Sequence, residues 1–339
     1  MALLETNRFD GIQIGRAVAA LSVLYFHSWT ALVRFPDAAA YPIWPLSRFG
    51  QLGVDLFFGI SGFVICLIAS KRDFQPITFL ARRAIRIYPL WLLCLGTLAA
   101  LFAIWRGWQN SETLGYLLYS ATLLPTQALP FYNVGWTLQH EMAFYVLAAV
   151  IVPWCGLRGL LGFLVASSFV LTDAPWFISK LAAFHIEFAA GIFAYLLLPK
   201  LRWAGSLLPI SAGLVGMCVA FQFADRQFIA LPLFVAIVGF ANLSTHGAIG
   251  RQLVTMGDRS YSIYLLHLLI FWVCSSVTSL FASKIPLWSV EPIRFGCIGA
   301  VIVLAGLTWK YIERPTINLG NALLARPTRL TSTVAPAAR

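Results

Sequence analysis

Residues 53–70 read GVDLFFGISGFVICLIAS. These eighteen positions contain one charge, Asp55, near the start, and Lys71 and Arg72 follow at once. About 20 apolar residues rising 1.5 Å each cover the ~30 Å hydrocarbon layer of a bilayer. No water satisfies backbone N–H and C=O groups in that layer, so such a run is expected to be a helix. Gly53, Gly59 and Gly62 open a face on which a second helix can pack closely.

Working outward, the pattern recurs. Apolar runs occupy 12–33, 50–70, 86–105, 136–153, 158–173, 178–198, 206–223, 227–243, 260–281 and 293–312. The stretch 113–124 is short, weakly apolar and followed by Pro125, so it reads as an interfacial or re-entrant piece. The predicted fold class is all-α, a polytopic membrane protein of about ten transmembrane helices. Residues 1–320 form its membrane domain and 321–339 a basic, disordered tail. Composition agrees. Of 339 residues, 60% are hydrophobic and 11% charged, with a mean hydropathy of +0.80. A soluble domain has about 25% charged residues. This excludes a soluble enzyme, a disordered chain and a DNA-binding domain.

The chain has 24 Lys and Arg against 13 Asp and Glu, a net charge of +11. With 113–124 not crossing, 16 basic residues fall on one side of the ten-span topology and seven, Arg34, Arg48, Arg106, Lys180, Arg226, Lys284 and Arg294, on the other, with Arg16 inside the first span. The richer side is the cytoplasmic one. Both termini are then cytoplasmic, and the excess charge requires no nucleic acid. The six cysteines are scattered singly without metal-ligand spacing and read as small buried apolar residues, so no metal is expected. Nucleotide-loop, nucleophile-elbow and zinc-protease motifs are absent.

Ionisable residues inside spans are expensive and point to function. Arg16 and His27 stand eleven positions apart in the first span. Eleven steps of 100° make three turns plus about 20°, so both face one side, ~16 Å apart along the axis. Arg16 at the inner end suits a phosphate-bearing ligand, and a neutral His27 suits a general base or nucleophile. Taken singly, each also reads as a snorkelling anchor or a hydrogen-bonded packing residue. Glu141 enters from the outside at about the depth of His27, where it either orients His27, binds sugar hydroxyls or makes a structural pair. Asp55 reads as a helix cap or an acceptor contact. Arg82, Arg83 and Arg86 are positive-inside anchors or a phosphate site. Trp136, His140 and His267 join Asp55 as candidate substrate-binding groups, and His185 and Glu187 are further intramembrane polar groups. YIERP at 311–315 closes the last helix, with Glu313 and Arg314 read as a local anchor.

Six segments appear in a familiar order: GIQIGRAVAALSVLYFH, GVDLFFGISGF, RRAIRIYP, GWTLQHEMAFY, SYSIYLLH and YIERP, spanning residues 11–315. In this the chain resembles the acyltransferase 3 family of bacterial integral-membrane enzymes, particularly the exopolysaccharide-modifying type. The resemblance implies transfer of an acyl group, most often acetyl, from cytoplasmic acyl-CoA to a hydroxyl of an envelope or exported polysaccharide, at the inner membrane. It implies catalytic roles for Arg16 and His27, a donor-phosphate site at Arg83 and Arg86, and an acidic role for Glu141. His27 then either deprotonates the acceptor or carries the acyl group. The implied partners are the carbohydrate, membrane lipids and polysaccharide-synthesis machinery. The competing class is a polysaccharide or small-molecule transporter without covalent chemistry, although no internal repeat is visible.

Overall fold

The computed structural model describes residues 9–33, 35, 43–71, 74–109, 112–171, 174–223, 225–245, 247–281 and 286–324. Arg326, Arg329 and Arg339 of the basic tail lie outside the described residues. Among the described residues no strand occurs. The helices are α1 (Asp10–His27), α2 (Trp44–Phe49), α3 (Gly53–Ala69), α4 (Pro76–Trp105), α5 (Leu114–Ala121), α6 (Gly135–Val170) and α7 (Trp176–Ala182). They continue with α8 (His185–Leu197), α9 (Leu207–Ala220), α10 (Ala230–Asn242), α11 (Gly247–Asp258), α12 (Ser260–Ser279), α13 (Val290–Thr308) and α14 (Arg314–Leu323).

Six helical runs are long and apolar enough to cross a membrane: Trp44–Ala69, Pro76–Trp105, Gly135–Val170, Trp176–Lys200, Ser260–Ser279 and Val290–Leu323. Leu207–Ala220 and Arg226–Asn242 are apolar but shorter. The molecule is thus a helical membrane protein, with six such runs where the sequence suggested about ten spans. Three features account for the difference. The short runs are α9 and α10. Next, α1 is not among the six, because Asp10, Gln13, Arg16 and His27 lower its hydropathy. Finally, α6 is two helices joined at Gly156, whose φ of 65° and ψ of −174° belong to a region open only to glycine. Unbroken, its 36 residues would run ~54 Å. Its arms coincide with the stretches 136–153 and 158–173. By contrast α5 has eight residues, ~12 Å, too short to cross.

The start of α4 departs from the expected boundary at 86. Pro76 occupies the first turn, where its missing N–H is no loss, and the helix then runs for 30 residues. Arg82, Arg83 and Arg86 therefore sit on a rigid helix rather than in a loop.

The apolar core falls into two clusters that meet at α1, α3 and α8. One joins them to α4, α6, α12 and α13; the other joins them to α9 and α10. This central position explains why α1 tolerates polar residues: its neighbours are protein, and the groups find partners there. Helices α3 and α8 approach each other closely through glycine. A Cβ on Gly191 would lie 1.8 Å from the carbonyl oxygen of Gly59, and one on Gly62 would lie 2.2 Å from that of Phe188. Asp55 and Glu187 stand one turn before Gly59 and Gly191, so this contact brings two carboxylates to the same level.

Candidate active site

Three neighbouring cavities lie within the bundle. The first is a basic vestibule between α4 and α14, lined by Lys71, Gln75, Thr78, Arg82, Arg83, Arg86 and Asn321. Arg83 and Arg86 also line the second, an interior chamber, so they form the passage between the two. Arg83 is held there over the rings of Phe79 and Tyr145, at 5.5 and 5.2 Å.

The chamber is walled by α1, α3, α4, α6 and α12, with Arg16, Ser61, Thr137, Glu141, Tyr145, Tyr261 and Tyr264 facing it. Glu141 accepts hydrogen bonds from Ser61 Oγ at 3.2 Å and from the Tyr145 hydroxyl. Arg16 donates to Gln13 one turn earlier, at 3.4 Å. Three guanidinium groups and one carboxylate thus share one small space, a net positive lining that suits an anionic ligand.

The third cavity holds His27, Gln51, Asp55, Asn133, Trp136, Phe184 and Arg226. Val54 and Tyr264 line both this cavity and the chamber, and so form a septum between them. The Tyr264 ring is pinned: its hydroxyl accepts from Thr137 Oγ1 at 2.9 Å and contacts the Val134 carbonyl oxygen at 3.5 Å. His27 stands with Nδ1 3.1 Å from the Val23 carbonyl oxygen and 3.3 Å from His267 Nε2.

Beside His27 lies a charge cluster. Arg226 donates to Glu187 Oε1 from Nε at 3.0 Å and from Nη2 at 2.7 Å, and Nη2 also pairs with Asp55. Its guanidinium lies 4.1 Å from the centre of the Phe184 ring. Glu187 is fully buried, and its Oε2 has no partner among the described residues. One cation therefore holds two buried carboxyl groups, and Asp55 and Arg226 of this cluster line the His27 cavity.

The predicted residues divide among these cavities. Arg16, Glu141, Arg83 and Arg86 come together in the chamber, and Arg82 stays in the vestibule. His27, Asp55 and Trp136 share the third cavity. Arg16 and His27 therefore face different compartments on either side of the septum. Glu141 makes no contact with His27, because its carboxylate is taken by Ser61 and Tyr145. His140 lines neither compartment; its ring nitrogens lie 2.8 and 2.9 Å from the carbonyl oxygens of Trp136 and Lys180. His267 is buried beside His27 and lines neither the chamber nor the third cavity. His185 pairs with Ser167 Oγ at 2.6 Å. Glu313 does not anchor with Arg314: it is buried in a π-helical turn and accepts from Ser262 at 2.7 Å, while Arg314 lies over the Trp309 ring.

Sequence reasoning missed Arg226, counting it among the outer loop charges. The signal available was an imbalance: Asp55 and Glu187, both near one end of their spans, require a cation, and Arg226 in a neighbouring connection supplies it. Arg294 was counted with the same loop charges but is fully buried, paired with Glu291 and donating to Ser28 Oγ at 3.1 Å. Among the described residues no group of three or more His, Cys, Asp or Glu could hold a metal ion.

Comparison with known proteins accords with this geometry. The acyltransferase domain characteristic of the acyltransferase 3 family matches residues 9–311. The exopolysaccharide production protein ExoZ of Rhizobium meliloti (strain 1021) is 27% identical over 299 residues, covering 80% of this chain and 91% of ExoZ. Nodulation protein 10 of Rhizobium leguminosarum bv. viciae is 24% identical over 363 residues, 94% of this chain and 95% of the relative. Acyltransferase MdmB of Streptomyces mycarofaciens is 25% identical over 324 residues, 81% of this chain and 82% of the relative. No solved structure matches. With the domain matched over residues 9–311, nearly the whole chain, the chain belongs to the acyltransferase 3 family and is an acyltransferase.

Proposed function

We propose that the protein is an O-acyltransferase that moves an acyl group, acetyl by default, from acyl-CoA to a hydroxyl of an envelope or exported polysaccharide. The observation that supports this most is the succession of adjoining cavities, from a basic mouth to a histidine beyond a thin septum. Arg82, Arg83 and Arg86 suit the phosphates of the donor as it enters, with Arg16 deeper in. The thioester end then extends through the chamber toward Tyr264 and His27. The acceptor hydroxyl enters the third cavity, where Asp55, Arg226 and Asn133 offer hydrogen-bonding groups and Trp136 a face for the sugar ring.

The chemistry follows from His27. Its ring nitrogen takes the acceptor O–H proton while the oxygen attacks the thioester carbon. The C–S bond breaks and its electron pair leaves on sulfur, giving an ester and a CoA thiolate. General-base action of this kind contributes ~10²–10⁴-fold. The name of ExoZ, a relative aligned over nine-tenths of its length, supports a carbohydrate acceptor made by polysaccharide machinery.

In this reading residues 1–320 form one membrane domain in the inner membrane of a bacterium. Both arms of α6 cross, as do α1, α9 and α10, giving ten spans with both ends cytoplasmic, and the vestibule opens to the cytoplasm. The deciding experiment supplies radiolabelled acyl-CoA to purified protein in proteoliposomes with extracted envelope glycan. Label in the glycan, as an alkali-labile ester, is the expected result. Glycan movement without label would instead mark a transporter.

A further inference from the structure

His267 is among the most deeply buried polar residues, 1% exposed, and lines neither the chamber nor the His27 cavity. It sits three residues after Tyr264 on α12, and its Nδ1 lies 2.5 Å from the Tyr264 carbonyl oxygen. A carbonyl oxygen only accepts, so His267 Nδ1 carries a proton. In a neutral ring Nε2 is then a bare acceptor, and it faces His27 Nδ1 at 3.3 Å. The other neighbour of His27 Nδ1 is the Val23 carbonyl oxygen at 3.1 Å, again an acceptor. Both surroundings require the proton of His27 to sit on Nδ1.

From this arrangement we infer that His267 is a positioning residue for the transfer reaction: it fixes His27 as the tautomer protonated on Nδ1, leaving Nε2 bare for the acceptor hydroxyl. The inference rests on the proposed role of His27. The line Tyr264 O, His267, His27 does what the carboxylate does in a serine hydrolase triad, with a neutral acceptor in place of a charge. When Nε2 takes the acceptor proton, the Nδ1–H becomes a charge-assisted donor and its bond to His267 Nε2 strengthens. The histidine behind the base thereby favours the charged state more than the resting one, which is the differential binding that lowers a barrier. The backbone holds the relay from both ends. Val23 is one turn before His27 on α1, and Tyr264 belongs to the septum, so the base is aligned relative to the path of the acyl group.

The test uses full-length protein in proteoliposomes. His267→Ala lowers kcat on the order of 10²-fold with the KM of donor and acceptor within twofold. His267→Gln, whose amide donates to Tyr264 O and accepts from His27, recovers most of that loss. Nitrogen-15 NMR of histidine-labelled protein separates orientation from packing. Wild type shows His27 protonated on Nδ1 alone, and His267→Ala shows mixed tautomers in a protein of unchanged melting temperature. A His267→Ala enzyme with wild-type kcat, or one whose loss lies in KM, overturns the inference. So does a His27 found protonated on Nε2 in the wild type. The NMR readout does not depend on acyl transfer, so failure of the proposed reaction is distinguishable from failure of the relay.

Discussion

At the scale of single residues, His27 and the paired arginines make separable contributions. His27→Ala reduces the rate of acyl transfer ~10²–10⁴-fold while leaving donor binding intact. Single-turnover measurement with labelled donor checks both parts. Arg83→Ala and Arg86→Ala each remove a charge-assisted contact worth about 1.5–3 kcal/mol, so donor KM rises ~10–100-fold and acceptor KM does not. Steady-state kinetics with each substrate varied in turn decide this. Arg226 behaves differently, because it pairs with both Asp55 and Glu187. Replacing it with Met leaves two buried carboxylates together and lowers stability by about 1–3 kcal/mol, a range reduced because its side chain is 40% exposed. Adding Glu187→Gln recovers part of that loss in thermal unfolding. Individual polar residues were legible in the sequence as exceptions within apolar runs, which is why Arg16, His27, Asp55 and Glu141 stood out. Their partners were not. Depth along one helix is readable from spacing, but azimuth relative to other helices is set by packing, so Glu141 proved to face Arg16's compartment rather than His27.

At the scale of elements, the α3–α8 crossing depends on glycine. Any side chain at Gly191 meets the backbone of Gly59, so Gly191→Leu forces the helices apart. The expected cost is about 3 kcal/mol or more, together with loss of the Asp55–Arg226–Glu187 alignment, read as a lowered melting temperature in detergent. Gly156→Ala tests the other special backbone position. A Cβ meets no neighbour there but the φ of 65° is strained, so a smaller destabilisation follows. Helical runs were legible because apolar length is a one-dimensional property. The glycines of residues 53–62 were also legible as a packing face, though the partner α8 was not. The start of α4 was missed because charge marks a membrane boundary, and this helix continues past it. Likewise α11 and α14, polar helices outside the apolar runs, left no hydropathy signal; they dock by close contacts such as Gly257 to Gln13 and Gly320 to Ile85.

At the scale of the whole molecule, the proposed ten-span topology would put the vestibule and the His27 cavity on opposite faces. Cysteines introduced at Gln75 and at Gln222 are expected to react with impermeant maleimides from opposite sides of sealed vesicles. The septum of Val54 and Tyr264 adds an electrical consequence. On the proposed topology, water entering the cavities from either face would carry the membrane voltage inward, so most of it would drop across that thin partition. In the proposed reaction the coenzyme phosphates stay on one side of it and a neutral acyl group crosses. The proton removed by His27, however, is released on the acceptor side, whereas the thiolate is reprotonated on the donor side. Each turnover is then equivalent to moving one positive charge outward, against a potential worth about 2.3 kcal/mol per 100 mV. In vesicles carrying a potassium-diffusion potential, negative on the donor side, transfer is expected to slow, and to recover when a protonophore collapses the gradient. An enzyme that ignored the imposed voltage would have to return its proton through the septum, along Tyr264.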